Sequence, residues 1–417
     1  MIGTRVGAGM TWRPAPRWLP AFVITAALLV AAAACGRAAP VPAGGPGRSA
    51  PGNAGGTAAQ SGSPPTAAAR AHGAGALTVL SASFVSPTAG WLLATPCARQ
   101  VQTCRRVVMR KTVDGGRTWS AVPAPDAPPA DIYQGVPAAT AVGATVFASA
   151  SEGWAFGPAL WQTRDGGATW RKLSVPGGPV QDLAAAGDRV LAVTGRCRAD
   201  RSACSLRIYS AAAGSDDWRA VPGAAGAEVG PAQLVVSGGA GYVFAAADDT
   251  GKPVLLAGPV NGSADWRSLP DPCSGASSGA LAAAPGGWLF LGCGGEPGAG
   301  NQVKDAYLSG DDGHSWQKAA SPPFAGYLTG ASMSPGGTIF LSGSRMDLYV
   351  SRDRGRSWHE SPSLRNAAGL AGAGFPLTGS TITGTEGFAV QEGAGQQQVW
   401  LTSDGGLRWT PVTIRGG

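Results

Sequence analysis

Beyond residue 76 the chain breaks into short runs of alternating apolar and polar positions. Five of them begin with a glycine followed by an aromatic: Gly90-Trp91-Leu92-Leu93-Ala94, Gly153-Trp154-Ala155-Phe156, Gly241-Tyr242-Val243-Phe244, Gly287-Trp288-Leu289-Phe290 and Gly387-Phe388-Ala389-Val390. Side chains that alternate sides every second residue predict strands. The 65 glycines and 33 prolines, about double the ordinary share, argue against long helices. The expected fold class is all-β.

Downstream of these runs a second pattern recurs. Thr112-Val-Asp114-Gly-Gly116-Arg-Thr118-Trp119 returns around Asp165, Gly167 and Trp170, around Asp311, Gly313 and Trp316, around Asp353, Gly355 and Trp358, and around Asp404, Gly406 and Trp409. Five copies of [ST]-x-D-x-G-x-x-W lie far outside coincidence. Two decayed copies, ending in Asp217-Trp218 and Asp265-Trp266, keep the tryptophan but lose the earlier Asp and Gly positions. Neighbouring tryptophans of the series lie 42 to 51 residues apart, a period typical of propeller blades. In each unit one strand precedes the aromatic run, the run is a second, a third ends at the turn, and a fourth starts at its tryptophan. Residues 77–417 therefore predict seven four-stranded antiparallel blades around a channel. In each turn the Asp can accept from backbone N–H groups, the Gly supplies a conformation costly for other residues, and the Trp is expected to fill the space between the turn and its own sheet. These aspartates are expected to be structural rather than catalytic.

The motif resembles the Asp-box of the bacterial neuraminidase repeat. The fuller unit, an aromatic strand followed by T-x-D-G-G-x-T-W, resembles propellers of the photosystem II assembly and stability factor type, a resemblance covering the whole chain after residue 76. It implies a propeller that binds a membrane or secreted protein, with a cell-wall glycan as a second possibility. The enzyme reading would be an exo-sialidase or another glycoside hydrolase. Sialidases use a Phe/Tyr-Arg-Ile-Pro motif, whereas here Leu206 precedes Arg207-Ile208 and Tyr209 stands in the Pro position. Xyloglucanase-like enzymes resemble two facing propellers, and this chain predicts one. A fold of this kind hosts many activities, so function has to be argued from the site. No strand is visibly left over to join the first blade to the last, so ring closure rests either on packing alone or on residues 70 to 78, and the sequence leaves the two open.

The amino-terminal 76 residues read differently. Arg5, Arg13 and Arg17 precede an uncharged stretch from Trp18 to Ala34, ending in Ala32-Ala33-Ala34-Cys35. A basic region, an apolar region and small residues at a cleavage point make an export signal, expected over residues 1–34. The cysteine directly after it resembles a lipoprotein lipobox, with Cys35 acylated. The position three before Cys35 is Ala32 where a lipobox usually has Leu, so cleavage to a soluble secreted product and an uncleaved anchor both stay open. Residues 35–76 hold Gly, Ala, Pro and Ser with no acid and predict a disordered tether, reaching about 35 Å. If Cys35 carries lipid, the remaining cysteines fall into local pairs, Cys97 with Cys104, Cys197 with Cys204, and Cys273 with Cys293, as suits an exported domain.

Charge and candidate chemistry narrow the reading. The formal net charge is +7, but Arg5, Arg13, Arg17, Arg37, Arg48 and Arg70 supply most of it, so the body is nearly neutral and no nucleic-acid partner is expected. Only three histidines are present, His72, His314 and His359, and no C-x-x-C pair, so neither a metal site nor any cofactor is expected. No G-x-S-x-G elbow and no P-loop or dinucleotide fingerprint placed between strand and helix is found. No residue is assigned as catalytic. In a four-stranded blade the recurring turns share one face with the first-to-second turns, and the second-to-third loops lie opposite. That opposite face is the expected binding face. It would carry two cysteine-closed loops flanked by Arg99, Arg105, Arg106, Arg196, Arg198, Arg201 and Arg207, a candidate positive rim for an anionic partner, with solvated loop charges as the plainer alternative. The stretch Ala124 to Pro137 and the Gly-rich loop Gly294 to Lys304 would lie on the same face.

Overall fold

The computed structural model describes residues 77–96, 104–130, 138–197, 204–223, 228–229, 232–245, 253–273, 275–276, 278–323, 325–345, 348–361, 377–391 and 398–414. The expected signal, the lipidated Cys35 and the tether lie outside these residues. Within them are seven sheets, each with four antiparallel strands in sequential order, and no helix. The chain is a seven-bladed β-propeller. Blade 1 runs through the strands Thr78–Phe84, Gly90–Thr95, Val108–Thr112 and Ser120–Val122, and the later blades repeat this plan. Blade 3 has a fifth short strand, Glu228–Val229, paired with Cys204 and Ser205.

Burial falls off outward within each blade. Every residue of the second strands Gly90–Thr95 and Gly153–Phe156 is buried, whereas the outermost strands Ser120–Val122 and Arg171–Leu173 are largely exposed. A strand covered on both faces needs an apolar run rather than strict alternation, which is why the second strands read as Trp-Leu-Leu or Trp-Ala-Phe. The core is divided among the junctions between neighbouring blades. Each of the seven junctions holds its own hydrophobic cluster. The cluster between the first and last blades joins Leu77, Val79 and Leu92 to Phe388, Val390, Val399 and Ile414. There Phe84 and Phe388 lie with ring centroids 5.0 Å apart. No ladder joins the first and last sheets among the described residues, so the ring closes there by side-chain packing.

The recurring turn is a small hydrogen-bond lattice. In blade 1, Thr112 Oγ1 accepts from Gly116 N at 2.8 Å, while Asp114 Oδ1 accepts from Thr118 N at 2.9 Å and Oδ2 from Thr118 Oγ1 at 2.6 Å. Blades 2, 5 and 6 repeat it around Asp165, Asp311 and Asp353. In blade 7, Asp404 accepts from Leu407 N and Arg408 N. Three of the five tryptophans differ from expectation. Trp119 and Trp409 donate to their own Gly116 and Gly406 carbonyls. Trp170, Trp316 and Trp358 instead donate across the junction to Pro123, Pro270 and Ala320, just past the outermost strand of the preceding blade. The indole needs a buried acceptor for its N–H, and the carbonyl leaving the neighbouring sheet is the one in reach.

A second contact crosses the junctions in the opposite sense. The residue between Asp and Gly of the turn meets the aromatic at the start of the preceding blade's second strand. Trp91 Nε1 donates to Gly166 O at 2.9 Å, Tyr242 Oη donates to Asp312 Oδ1 at 2.5 Å, and the Arg354 guanidinium stacks 4.1 Å from the Trp288 ring centroid. Asp312 and Arg354 have φ of 58° and 59°, a left-handed conformation that disfavours side chains and is held here by the cross-blade contact. Where the turn has decayed, in blade 3, this contact disappears. Trp154 Nε1 and Trp218 Nε1 are buried without acceptors, and the junction is bridged instead by Arg171 on Asp216 and Arg164 on Gly214 O.

Around the channel, side chains on inner strands hold the open edge of the next one. Ser81 and Ser83 accept from Thr145 N and Phe147 N, Asp182 from Leu234 N at 2.8 Å, and Gln233 from Leu281 N while donating to Gly279 O. Asp182 is the one ionisable residue on any of the seven inner strands. Burial pushes its carboxyl up to about 6, against the pull of the N–H groups of Leu234 and Leu183.

Two predictions follow from these junctions. Trp91→Phe should cost about 1 kcal/mol more stability in urea unfolding than Trp154→Phe, because it leaves the buried Gly166 carbonyl without its donor, whereas Trp154 has no bond to lose. Stability against pH should peak at about pH 4 in thermal unfolding. The carboxyls of Asp114, Asp165 and Asp311 are drawn down to about 2, first by the hydroxyls of Thr118, Thr169 and Ser315 and then by the same residues' N–H groups. At Asp353 burial pushes upward, yet the Ser357 and Ser351 bonds prevail and the value is also about 2. Groups depressed on folding stabilise above their unfolded pKa and lose that contribution as pH falls toward 2. Asp182 is raised on folding, so its contribution declines as pH climbs from about 4 to 6. Asp182→Asn should flatten only the upper limb.

Candidate functional site

On the face opposite the recurring turns, the second and third strands of blades 3 and 5 run on past those of their neighbours. Blade 3 pairs Arg189–Cys197 with Cys204–Ala212, and blade 5 pairs Trp288–Gly298 with Asn301–Ser309, where blade 2 uses only Gly153–Phe156 and Leu160–Thr163. The blade 5 hairpin closes on Ala299 and Gly300, with φ of 48° and 75°, the pair of left-handed residues that a two-residue turn needs.

Both hairpins are held at their flanks. In blade 3 the strand Glu228–Val229 adds to the outer edge at Cys204 and Ser205. In blade 5, Asn301 Oδ1 accepts from Gly326 N and Gln302 Oε1 from Leu328 N, tying the hairpin to blade 6, and Arg345 donates to Gly300 O at 2.9 Å. Gln302 reaches Ser278 across Gly294, where a Cβ would lie 2.1 Å from Gln302 Nε2. Only glycine at 294 permits that crossing. The Cys273–Cys293 disulfide, with Cα atoms 5.3 Å apart, fastens the same hairpin to the segment entering blade 5. It is the expected third cysteine pair.

The other expected pairs are described in part. Cys197 and Cys204 are opposed in the ladder at the end of the blade 3 hairpin, but the Cys197 side chain and all of Cys97 lie outside the described residues. Cys104 is buried and its sulfur accepts from Thr95 Oγ1. Of the candidate rim, Arg99, Arg198 and Arg201 are likewise outside. Arg105, Arg106, Arg196 and Arg207 are all exposed, and none forms an ion pair with a described residue. Arg196 and Arg207 lie on adjacent strands, opposite Ser205 and Thr194 respectively, and the Arg196 stem passes over Gly178. The structure brings these two together within one hairpin and leaves Arg105 and Arg106 on blade 1. The stretch Ala124 to Pro137 is described as far as Ala130 and runs beside blade 1, Val107 N donating to Ala127 O.

His314 and His359 belong to the turn face, His314 beside Arg267 and His359 on an outermost strand; His72 is outside the described residues. No group of three or more metal-ligating side chains occurs among the described residues, and no described helix is long and apolar enough to cross a membrane. One feature not anticipated from the sequence is the lateral brace on each hairpin. Gly294 pairs with Lys304, two residues from Gln302 and next to a register shift, so the spacing of glycine and glutamine in sequence carried no signal of it.

Fold and site together define a seven-bladed β-propeller that presents rigidly held hairpins on one face. No family model and no curated protein matches the sequence. Among solved structures the chain is similar to YCF48 bound to D1 peptide, at 18% identity and TM-score 0.51, covering 79% of this chain and 94% of that one. YCF48 from Cyanidioschyzon merolae is similar at 17% identity and TM-score 0.50, covering 79% and 96%. A GH74 xyloglucanase from Xanthomonas campestris aligns at 11% identity and TM-score 0.30, covering 80% of this chain and 72% of that one.

Gly294→Ala should displace Gln302 and release the hairpin from blade 6. Hydrogen exchange at Leu328 N and at the 298–301 turn should rise, while the recurring turns keep their protection.

Proposed function

We propose that this chain is an extracytoplasmic binding scaffold, held to a membrane by lipid on Cys35, whose hairpin face docks an envelope or secreted protein. The observation that carries the proposal is the bracing of the blade 3 and blade 5 hairpins, each tied to a segment outside its own strand pair. Loops fixed before binding lose less entropy on contact. The exposed guanidinium groups of Arg196 and Arg207 give the face a means of holding carboxylates through paired N–H donors. Arg105 and Arg106 on blade 1 are exposed as well and would add to the same positive face. A propeller of the same fold, YCF48, has been solved with a peptide bound, which supports peptide or protein docking as the use of this fold here.

Charge reversal at Arg196 and Arg207, alone and with Arg198 and Arg201, should abolish capture of the partner from a detergent extract of the source envelope. The thermal midpoint of the Arg196 and Arg207 variant should stay unchanged, because those two side chains are exposed. Capture that survives reversal would rule out the basic rim. Enrichment of glycan without protein would replace the protein-docking reading with a carbohydrate-directed one.

A further inference from the structure

The two decayed turns are not equivalent. In blade 4 the position five before Trp266, where the intact turns carry Asp, is Asn261, followed by Gly262 and Ser263. This signal is weak in sequence because the hydroxyl residue and the later glycine are both replaced. In the structure Asn261 and Ser263 are exposed, Ser263 N donates to Asn261 Oδ1 at 3.0 Å, and Gly262 has φ of 63°.

We infer that Asn261 is a self-modifying position, converted by its own backbone neighbour into aspartate and isoaspartate. The Gly262 nitrogen attacks Asn261 Cγ, forming a C–N bond, while the C–Nδ2 bond breaks and the Gly262 proton departs with it as ammonia. Water then adds to either carbonyl of the resulting cyclic imide and opens it to a free carboxyl. Three features of the turn favour the attack. Gly262 has no Cβ to obstruct the approach. Asn261 is exposed, so ammonia can leave to solvent. The Ser263 N–H already points at Oδ1, the oxygen that becomes anionic in the tetrahedral intermediate, and a fixed donor there lowers the barrier. The Gly262 N–H itself donates to Pro259 O at 3.0 Å, so this turn bond must open first and sets the step to a slow timescale.

The neighbouring turns supply the contrast. The other asparagines, Asn53, Asn301 and Asn366, precede Ala, Gln and Ala, all with side chains beside the attacking nitrogen. Asp114, Asp165, Asp312 and Asp404 also precede glycine, but the carboxylates of Asp114, Asp165 and Asp404 accept from hydroxyl or N–H groups of their own turn, and that of Asp312 accepts from Tyr242 Oη. Such a carboxylate is a poor electrophile. The chemistry is thereby confined to blade 4. Its product places a negative charge near Asp265 and, as isoaspartate, lengthens the backbone beside Val260, whose carbonyl accepts from Ser210 Oγ of blade 3 at 2.7 Å.

The test is incubation of the full chain at mildly alkaline pH, followed by peptide mass mapping and enzymatic methyl labelling of isoaspartate. The expected result is a mass gain and label at the peptide holding Asn261, converted at least about tenfold faster than Asn53, Asn301 or Asn366. Asn261→Gln, which would have to form a larger ring, should silence that peptide with the fold intact by circular dichroism. Conversion at Asn261 no faster than at the other three, or isoaspartate at Asp114 or Asp165 in comparable amount, would overturn the inference.

Discussion

Among the described residues no β-ladder crosses from one blade to the next, and only isolated backbone hydrogen bonds do, so the ring depends largely on what side chains can do across the junctions. Hydrophobic burial at each junction is non-directional and would tolerate sliding. The polar contacts remove that freedom. Tryptophans of the turns donate backward to the carbonyls that leave the preceding sheet, while second-strand residues of that sheet reach forward into the turn. On the channel side, Ser81, Ser83, Asp182 and Gln233 take up edge N–H groups that would otherwise be exposed strand edges of the kind that recruit other chains. Blade 2 against blade 1, and blade 5 against blade 4, are thus registered at the outer rim, at mid-sheet and at the channel.

Much of this architecture was legible in residue spacing. The Asp, Gly and Trp positions marked the turns, and the aromatic runs marked the buried second strands, because each carries a local chemical requirement. The aim of the tryptophans was not legible. Whether Trp170 would donate to its own turn or to Pro123 depends on where a neighbouring sheet ends, which spacing does not encode. The position between Asp and Gly looked variable, with Gly166, Asp312 and Arg354 in three blades, yet each meets an aromatic of the blade before. The variation follows the partner: a backbone carbonyl serves an indole N–H, a carboxylate serves a phenol, and a guanidinium stacks on an indole face.

The site was less legible than the fold. Arginines flanking cysteine loops suggested a rim, and the structure groups Arg196 with Arg207 in one hairpin. The bracing of the hairpins came from contacts between residues distant in sequence, such as Gln302 with Leu328 N and Cys204 with Val229. A face built this way is stiff because its loops borrow support from the segments that begin the next blade.

The junction between blades 7 and 1 shares the apolar contacts of the others, with aromatic packing between Phe84 and Phe388 and a leucine, Leu401, seated over Gly116, while Trp119 donates within its own turn. The ring therefore has no privileged clasp. Its topology is cyclic in energetic terms even though the polypeptide is linear. New ends opened between two other blades, with residues 77 and 414 joined by a linker, would leave the set of junctions intact.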